Sequence, residues 1–282
     1  MSSPLDYPAL LQSVLSTFPL PITSPSSLLP PPSPPPFPSN VATIIDHTFL
    51  SPTMTTTDLE RVCNEAIKYN FASVCIPPTF VPDCASLLKG SNSLVCTVVG
   101  FPNGYAPTPV KKAEASWCVD NGADEVDMVC NMGLLKTISA ASEEGDKGKM
   151  RAAGEAWIND VLEVVEGAKG RCVKCIIEAG ALTDEEVCAA SLLFRECRVR
   201  TGGKGPEFIK TSTGFNGFGG ATERDVEIMG NVVRGGGGKV KASGGVGSLE
   251  QAKKIVGKGA ERIGASKGVK IVEGCGGGEG GY

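Results

Sequence analysis

Five charged side chains sit inside short apolar runs, where charge is out of place. They are Asp46 in VATIID, Asp127 in EVDMVC, Lys174 in CVKCIIE, Lys210 in EFIKTS and Lys241 in KVKAS. A charge buried without a partner is neutralised or strongly disfavoured. For each of these residues, taken singly, a structural ion pair is the alternative to a functional role. Lys210 and Lys241 fall in successive runs, and two ammonium groups held close repel, so that one gives up its proton more readily. A neutral buried amine is the nucleophile of Schiff-base chemistry. Two glycine-rich turns complete the pattern: Gly244 and Gly245 after KVKAS, and Gly264, Ala265 and Ser266 at the end of RIGAS. Glycines let backbone N–H groups approach an anion, and a helix N-terminus favours negative charge.

These residues need a scaffold that brings them together. Eight short apolar runs recur from Val41 onward: 41–46, 73–76, 94–100, 125–130, 172–178, 207–212, 239–243 and 262–266. Their near-continuous apolar character is that of parallel strands covered on both faces. Helical stretches separate them. Leu59, Val62, Cys63, Ala66 and Ile67 follow the spacing of one helical face. Thr57 with Glu60, Thr183 with Glu186 and Ser248 with Gln251 have the spacing of a capping box, and Thr222 with Asp225 is a weaker version. Eight strand–helix units over about 240 residues match a (β/α)8 TIM barrel, whose active sites form at the C-terminal strand ends and whose phosphate sites lie after strands seven and eight. The rival open doubly wound sheet carries a G-x-G-x-x-G turn after its first strand, which VATIIDHTFLSP lacks.

The barrel is expected over residues 41–273, with a Pro-rich disordered extension at 1–40 and a flexible Gly-rich tail at 274–282. Within the extension, Pro8 to Phe18 reads as a short amphipathic helix. The 282 residues carry a formal net charge of −4 with no basic cluster, which argues against a nucleic-acid partner. No apolar run approaches the ~18 residues of a membrane span. No basic residue precedes Arg61, unlike a secretory or transit leader, so a cytoplasmic location is expected. The 11 cysteines lie mostly in apolar runs and read as buried thiols. Cys172 and Cys175, three apart on a strand, point to opposite faces and cannot chelate one ion. With His47 the sole histidine, neither a metal nor a cofactor is expected.

The motifs IDHTFLSPTMT (45–55), SVCIPPTFVP (73–82), VVGFPNG (98–104), GADEVDMVCNMGLLK (122–136), VKCIIEAGALTDEE (173–186), FIKTSTGF (208–215), VKASGGV (240–246) and RIGAS (262–266) occur one per expected strand. Together they resemble the deoxyribose-phosphate aldolase family, a class I (Schiff-base) aldolase family. The resemblance implies reversible cleavage of 2-deoxy-D-ribose 5-phosphate to acetaldehyde and D-glyceraldehyde 3-phosphate. It makes Lys210 the Schiff-base lysine, Lys241 the lysine that tunes it, and Asp127 the acid/base carboxylate. Gly244, Gly245, Val246, Gly264 and Ser266 would hold the phosphate; Asp46, Cys75, Lys174 and Thr211 would support the substrate. The C-terminal Tyr282 is a candidate proton donor, and the partner is a small phosphosugar, with a homodimer compatible. The sequence departs from the family pattern at Asn216–Phe218, in long segments at 136–171 and 198–206, and at Lys267, where a small polar residue is common. Another class I phosphosugar aldolase, a transaldolase, or a silent barrel acting as a binding module are the alternatives.

Overall fold

The computed structural model describes residues 4–18, 20, 22 and 33–274. Its centre is a barrel of eight parallel strands: β1 (Ile45–Thr48), β2 (Ser73–Ile76), β3 (Leu94–Val99), β4 (Glu125–Val129), β5 (Cys172–Ile176), β6 (Phe208–Lys210), β7 (Lys239–Ser243) and β8 (Arg262–Ala265). Each pairs with its sequence neighbour, and β8 closes on β1. The TIM barrel expected from the eight runs is thus the observed architecture. The helices are α1 (Tyr7–Thr17), α2 (Thr56–Tyr69), α3 (Val81–Leu87), α4 (Thr108–Asp120), α5 (Met132–Glu143), α6 (Lys147–Gly167), α7 (Asp184–Arg200), α8 (Glu223–Val233), α9 (Leu249–Lys258) and α10 (Gly268–Glu273).

Register decides which side chains meet inside. Alternate residues of each barrel strand face the interior. Lys210 is level with Lys241, and Lys241 with Arg262. Asp127 is level with Lys174, and Asp46 with both Ser73 and Gly264. Glu125 and Asp127, two apart on β4, project to the same side. The charged residues of six different strands therefore converge on the barrel axis.

Local chemistry explains most element boundaries. Thr183 and Glu186 form the reciprocal capping box that opens α7, and Thr222 accepts from the Asp225 amide at α8. Ser248 accepts from the Gln251 amide, while Gln251 turns to the Gly247 N–H instead of completing a box. The box at α2 is formed by Thr55 and Asp58 rather than by Thr57 and Glu60. Four residues of the first apolar run, Val41–Ile44, form a 3-10 turn capped by the Asn40 side chain, so β1 begins only at Ile45. Ile67 is 46% exposed, so the buried face of α2 is Leu59, Val62, Cys63 and Ala66. The long segment 136–171 is accounted for by α5 and α6, which buries Trp157.

The amphipathic helix expected over Pro8 to Phe18 is present as α1, Tyr7–Thr17. Asp6 caps α1 by accepting from the Ala9 amide at 3.1 Å. Tyr7, Leu11 and Val14, one helical stripe, are buried together with Phe18 and Leu20 in the main core. The helix lies against α7, and the Tyr7 hydroxyl donates to the Asn231 carbonyl of α8 at 3.4 Å. Within this extension, α1 is docked on the barrel's outer layer. It docks because its apolar stripe has a complementary site between two barrel helices. Residues 23–32 of the Pro-rich stretch, and 275–282 of the tail with Tyr282, lie outside the described residues.

Candidate active site

The barrel axis holds seven charged side chains. The Asp127 carboxylate is at their centre, fully buried. Its Oδ2 accepts from Lys210 Nζ and from Lys241 Nζ, each at 2.7 Å, and its Oδ1 accepts from Lys174 Nζ at 2.8 Å. Lys174 also reaches Glu125 at 2.7 Å and Asp46 at 3.5 Å. Lys241 lies 2.5 Å from Asp46 Oδ2, an ion-pair contact outside hydrogen-bonding angles. Arg262 closes the lower layer, 2.6 Å from Asp46 and 3.3 Å from Glu125. Ser73 Oγ donates to Asp46 at 2.7 Å.

The charge states follow from this packing. Burial would raise the Asp127 pKa, but Lys174, Lys210 and Lys241 hold it well below the carboxylate range. Asp46 is likewise depressed, burial being overcome by Lys241, Lys174 and Arg262. Burial would neutralise Lys174 and Lys241, but the carboxylates of Asp127 and Asp46 push both above the ordinary lysine value. Lys241 is thus a fixed cation, and the repulsion expected between two bare lysines is moderated by a carboxylate that both share.

Lys210 differs from its neighbours. Among the described residues, Asp127 is its one polar partner. Lys174 contacts three carboxylates and the Cys96 thiol, and Lys241 contacts two carboxylates. Lys210 ends β6 at the C-terminal rim, with N–H directions left for an incoming carbonyl.

Beside this cluster, at the ends of β7, β8 and β1, is a cavity of about 570 Å³. It is lined by the turns 244–247 and 264–267, by His47, Thr48 and Phe49, and by Arg61 and Val62 of α2. Gly244, Gly245, Val246, Gly264 and Ser266 thus share one cavity. Gly244 and Gly245 have φ of +83° and +79°, a region open mainly to glycine. Gly264 joins the two parts of the site: a Cβ there would lie 3.1 Å from Lys241 Cε.

The DeoC/LacD family aldolase pattern matches residues 40–274. The deoxyribose-phosphate aldolase of Carboxydothermus hydrogenoformans is 46% identical over 245 residues, covering 86% of this chain and 97% of that protein. The chain belongs to the DeoC/LacD aldolase family. Among solved structures, a candidate deoxyribose-phosphate aldolase from Coccidioides immitis matches with a TM-score of 0.73 and 35% identity, covering 97% of this chain and 98% of the other. A tetrameric deoxyribose phosphate aldolase from Aeropyrum pernix matches with a TM-score of 0.70 and 30% identity, covering 96% and 97%.

Four of the expected substrate contacts, Thr211, Lys174, Asp46 and Cys75, also have partners within the protein. The Thr211 hydroxyl accepts from the Ser243 amide at 3.0 Å and donates to the Ser243 carbonyl at 3.1 Å. It is a buried clamp between β6 and β7 next to Lys210. Lys174 is fully buried within the carboxylate cluster and lies 2.8 Å from Asp127. Asp46 is also fully buried, as the counter-ion of Lys241. Cys75 packs in a small apolar cluster with Leu50, Cys96 and Val98, bordered by Phe101.

The sequence reading missed Glu125, Arg262 and Cys96. Cys96 Sγ donates to Asp127 Oδ1 at 3.2 Å and accepts from Lys174 at 3.2 Å. It also missed the role of Glu178, whose φ of +52° is unusual for a side-chain-bearing residue. The Glu178 carboxylate accepts from the Thr213 amide at 3.1 Å, the Thr213 hydroxyl at 2.5 Å and Asn216 Nδ2 at 2.9 Å. Asn216 also donates to the Pro102 carbonyl at 3.1 Å, and Phe215 meets Phe101 edge to face. The departure noted at Asn216 is therefore part of a tie between the loops after β3, β5 and β6.

Proposed function

We propose that the chain is a class I deoxyribose-phosphate aldolase of deoxyribonucleotide catabolism. It would reversibly cleave 2-deoxy-D-ribose 5-phosphate to acetaldehyde and D-glyceraldehyde 3-phosphate. The observation that carries this reading is Lys210 held by the single shared carboxylate of Asp127, beside a glycine-lined cavity at the phosphate end of the barrel. In this reading the Lys210 amine adds to C1 of the open-chain sugar, and loss of water gives an iminium. A two-carbon and a three-carbon product require the C2–C3 bond to break. The C3 hydroxyl loses its proton, C3 becomes the aldehyde of the departing triose phosphate, and the bonding electrons move to C2 as an enamine. Protonation of C2 and hydrolysis release acetaldehyde and restore the amine. Asp127 is the carboxylate within reach of Lys210 for these transfers, and Lys241 is the fixed cation that keeps it ionised. Tyr282 is proposed only as an additional donor for C2.

No metal or organic cofactor is needed, because the iminium is itself the electron sink. The substrate, a phosphorylated sugar, does not cross a membrane unaided, so the reading carries a cytoplasmic location with it. No helix among the described residues is long and apolar enough to span a bilayer. Self-association, as a homodimer or larger, is part of the same proposal. The test is product analysis with 2-deoxy-D-ribose 5-phosphate in the presence of excess chelator. Free acetaldehyde in step with triose phosphate supports the reading. Transfer of a three-carbon unit to an acceptor without acetaldehyde would indicate a transaldolase, and activity restored by added zinc would indicate metal-dependent chemistry.

A further inference from the structure

The residues lining the phosphate-end cavity include two cations, Arg61 and Lys267, and no carboxylate. The two come from opposite sides of the barrel's closure, Arg61 from α2 and Lys267 from the turn after β8. The Lys267 side chain folds over the glycine turn after β7. A Cβ on Gly247 would lie 3.1 Å from Lys267 Cδ and 4.0 Å from its Nζ. Glycine at 247 therefore leaves the space that the lysine occupies. Lys267 has no hydrogen-bond or ion-pair partner among the described residues, so its charge is unbalanced within the cavity wall. Arg61 is held from behind: Glu65 lies 3.2 Å from Nη1, Asp58 lies 3.7 Å from Nη2, and the guanidinium stands 5.3 Å from the centroid of the Phe49 ring. Phe49 also lines the cavity, so the stacked guanidinium is at its mouth.

A phosphate monoester carries about −1.5 to −2 charges at neutral pH. The turns 244–247 and 264–267 offer backbone N–H groups, which orient an anion but carry no net charge. We propose that Lys267 and Arg61 close on the phosphate from two sides and set the preference of this enzyme for phosphorylated over unphosphorylated sugar. This rests on the aldolase reading above and adds the specificity determinants to it. Lys267 is the stronger of the two, since Arg61 shares its charge with Glu65 and Asp58. No residue of the Lys210 cluster is among those lining the cavity, and Gly264, which does line it, packs against Lys241. The pair therefore acts on substrate affinity and leaves the chemistry of the Schiff base to the cluster.

The experiment compares wild type, Lys267→Met, Lys267→Arg and Arg61→Ala. Each is assayed for kcat/KM on 2-deoxyribose 5-phosphate and on 2-deoxyribose. Inorganic phosphate binding is measured in parallel by calorimetry at two salt concentrations. Loss of one charge-assisted contact predicts a fall of about 10- to 100-fold in the ratio of the two kcat/KM values for Lys267→Met. A smaller fall is expected for Arg61→Ala, and Lys267→Arg should recover most of the ratio. The loss should appear in KM, and phosphate binding should weaken in the same order. An unchanged ratio, or a parallel loss on both substrates, would overturn the proposal. If wild type cleaves neither sugar, the aldolase reading fails; the phosphate titrations then still decide whether these two cations hold a phosphate.

Discussion

Two buried lysines, Lys111 and Lys210, show how similar ingredients serve different ends. Lys111 lies on α4 and is fully buried. Its ammonium donates to Asp160 at 2.7 Å and to the Val129 carbonyl at 3.0 Å, and Thr108 supplies a second donor to Asp160 at 2.8 Å. The set is closed: one cation, one anion, and a neutral partner for each. Lys210 instead shares one carboxylate with two other lysines and has no second partner among the described residues. The first arrangement fixes α4 against α6 and leaves nothing to react. The second leaves an amine under-coordinated at the rim of the barrel. Burial of a lysine is therefore not the mark of a functional site. What distinguishes this one is that its counter-ion is shared among more cations than it can fully satisfy.

The sharpest way to break the comparison is to remove each lysine and read activity and stability separately. Lys210→Met should lower kcat/KM by on the order of 10⁴-fold or more, as loss of a covalent nucleophile does, while the melting temperature changes little. Asp127→Asn should cost about 10²- to 10⁴-fold in rate, the range for a lost acid–base group, and should also destabilise because three lysines lose their common anion. Lys111→Met should behave in the opposite way. It strands Asp160 in the core, so denaturant titration should show a loss of about 3–5 kcal/mol with kcat retained. The double change Lys111→Met with Asp160→Leu should recover much of that. A Lys111 variant that folds normally but fails to turn over would erase the distinction drawn here.

The ionic cluster also sets a pH window for folding. Asp127 and Asp46 have depressed pKa values in the folded protein. Their contribution is complete above the unfolded carboxylate value of about 4 and is lost as pH falls through the folded values. Lys174 and Lys241 are raised, so their contribution is complete below about 10.4 and lost as pH rises through the folded values. Chemical denaturation across pH should give a plateau between these limits. Asp46→Asn should lower the plateau and flatten its acid edge; an unchanged acid edge would remove Asp46 from the account. The smallest effect concerns α1. Leu11→Ala should cost about 2 kcal/mol, near the lower limit for a buried leucine, because the site lies on the barrel's outer layer. No effect on denaturation would show that α1 does not contribute to the folded barrel.

Much of the site was legible because a charge in an apolar strand is a strong anomaly. That signal found Asp46, Asp127, Lys174, Lys210 and Lys241, and the structure brings all five together. Glu125 and Arg262 gave no such signal, because each begins its strand, where a charge is ordinary. Only the closed register shows that both turn inward. Lys111 was invisible for a related reason: a lysine on a helix normally reaches solvent, and nothing local reveals the glycine at 100 that makes room for it. The bonds of Thr211 to Ser243 were not legible either, because they depend on the neighbouring strand and not on its own motif. The docking of α1 was likewise beyond local reading. An apolar stripe predicts that a helix packs, but not against what. The run VATIID looked like one strand, yet the Asn40 cap turned its first four residues into a 3-10 turn.

The central claim is that Lys210, and no other lysine of the cluster, forms the Schiff base. Reduction of the protein with borohydride in the presence of acetaldehyde, followed by peptide mass mapping, tests it directly. The expected product is a two-carbon adduct, an ethyl group on nitrogen after reduction, at Lys210, and none in Lys210→Met. An adduct carried mainly by Lys174 or Lys241, or one that persists in Lys210→Met, would contradict it.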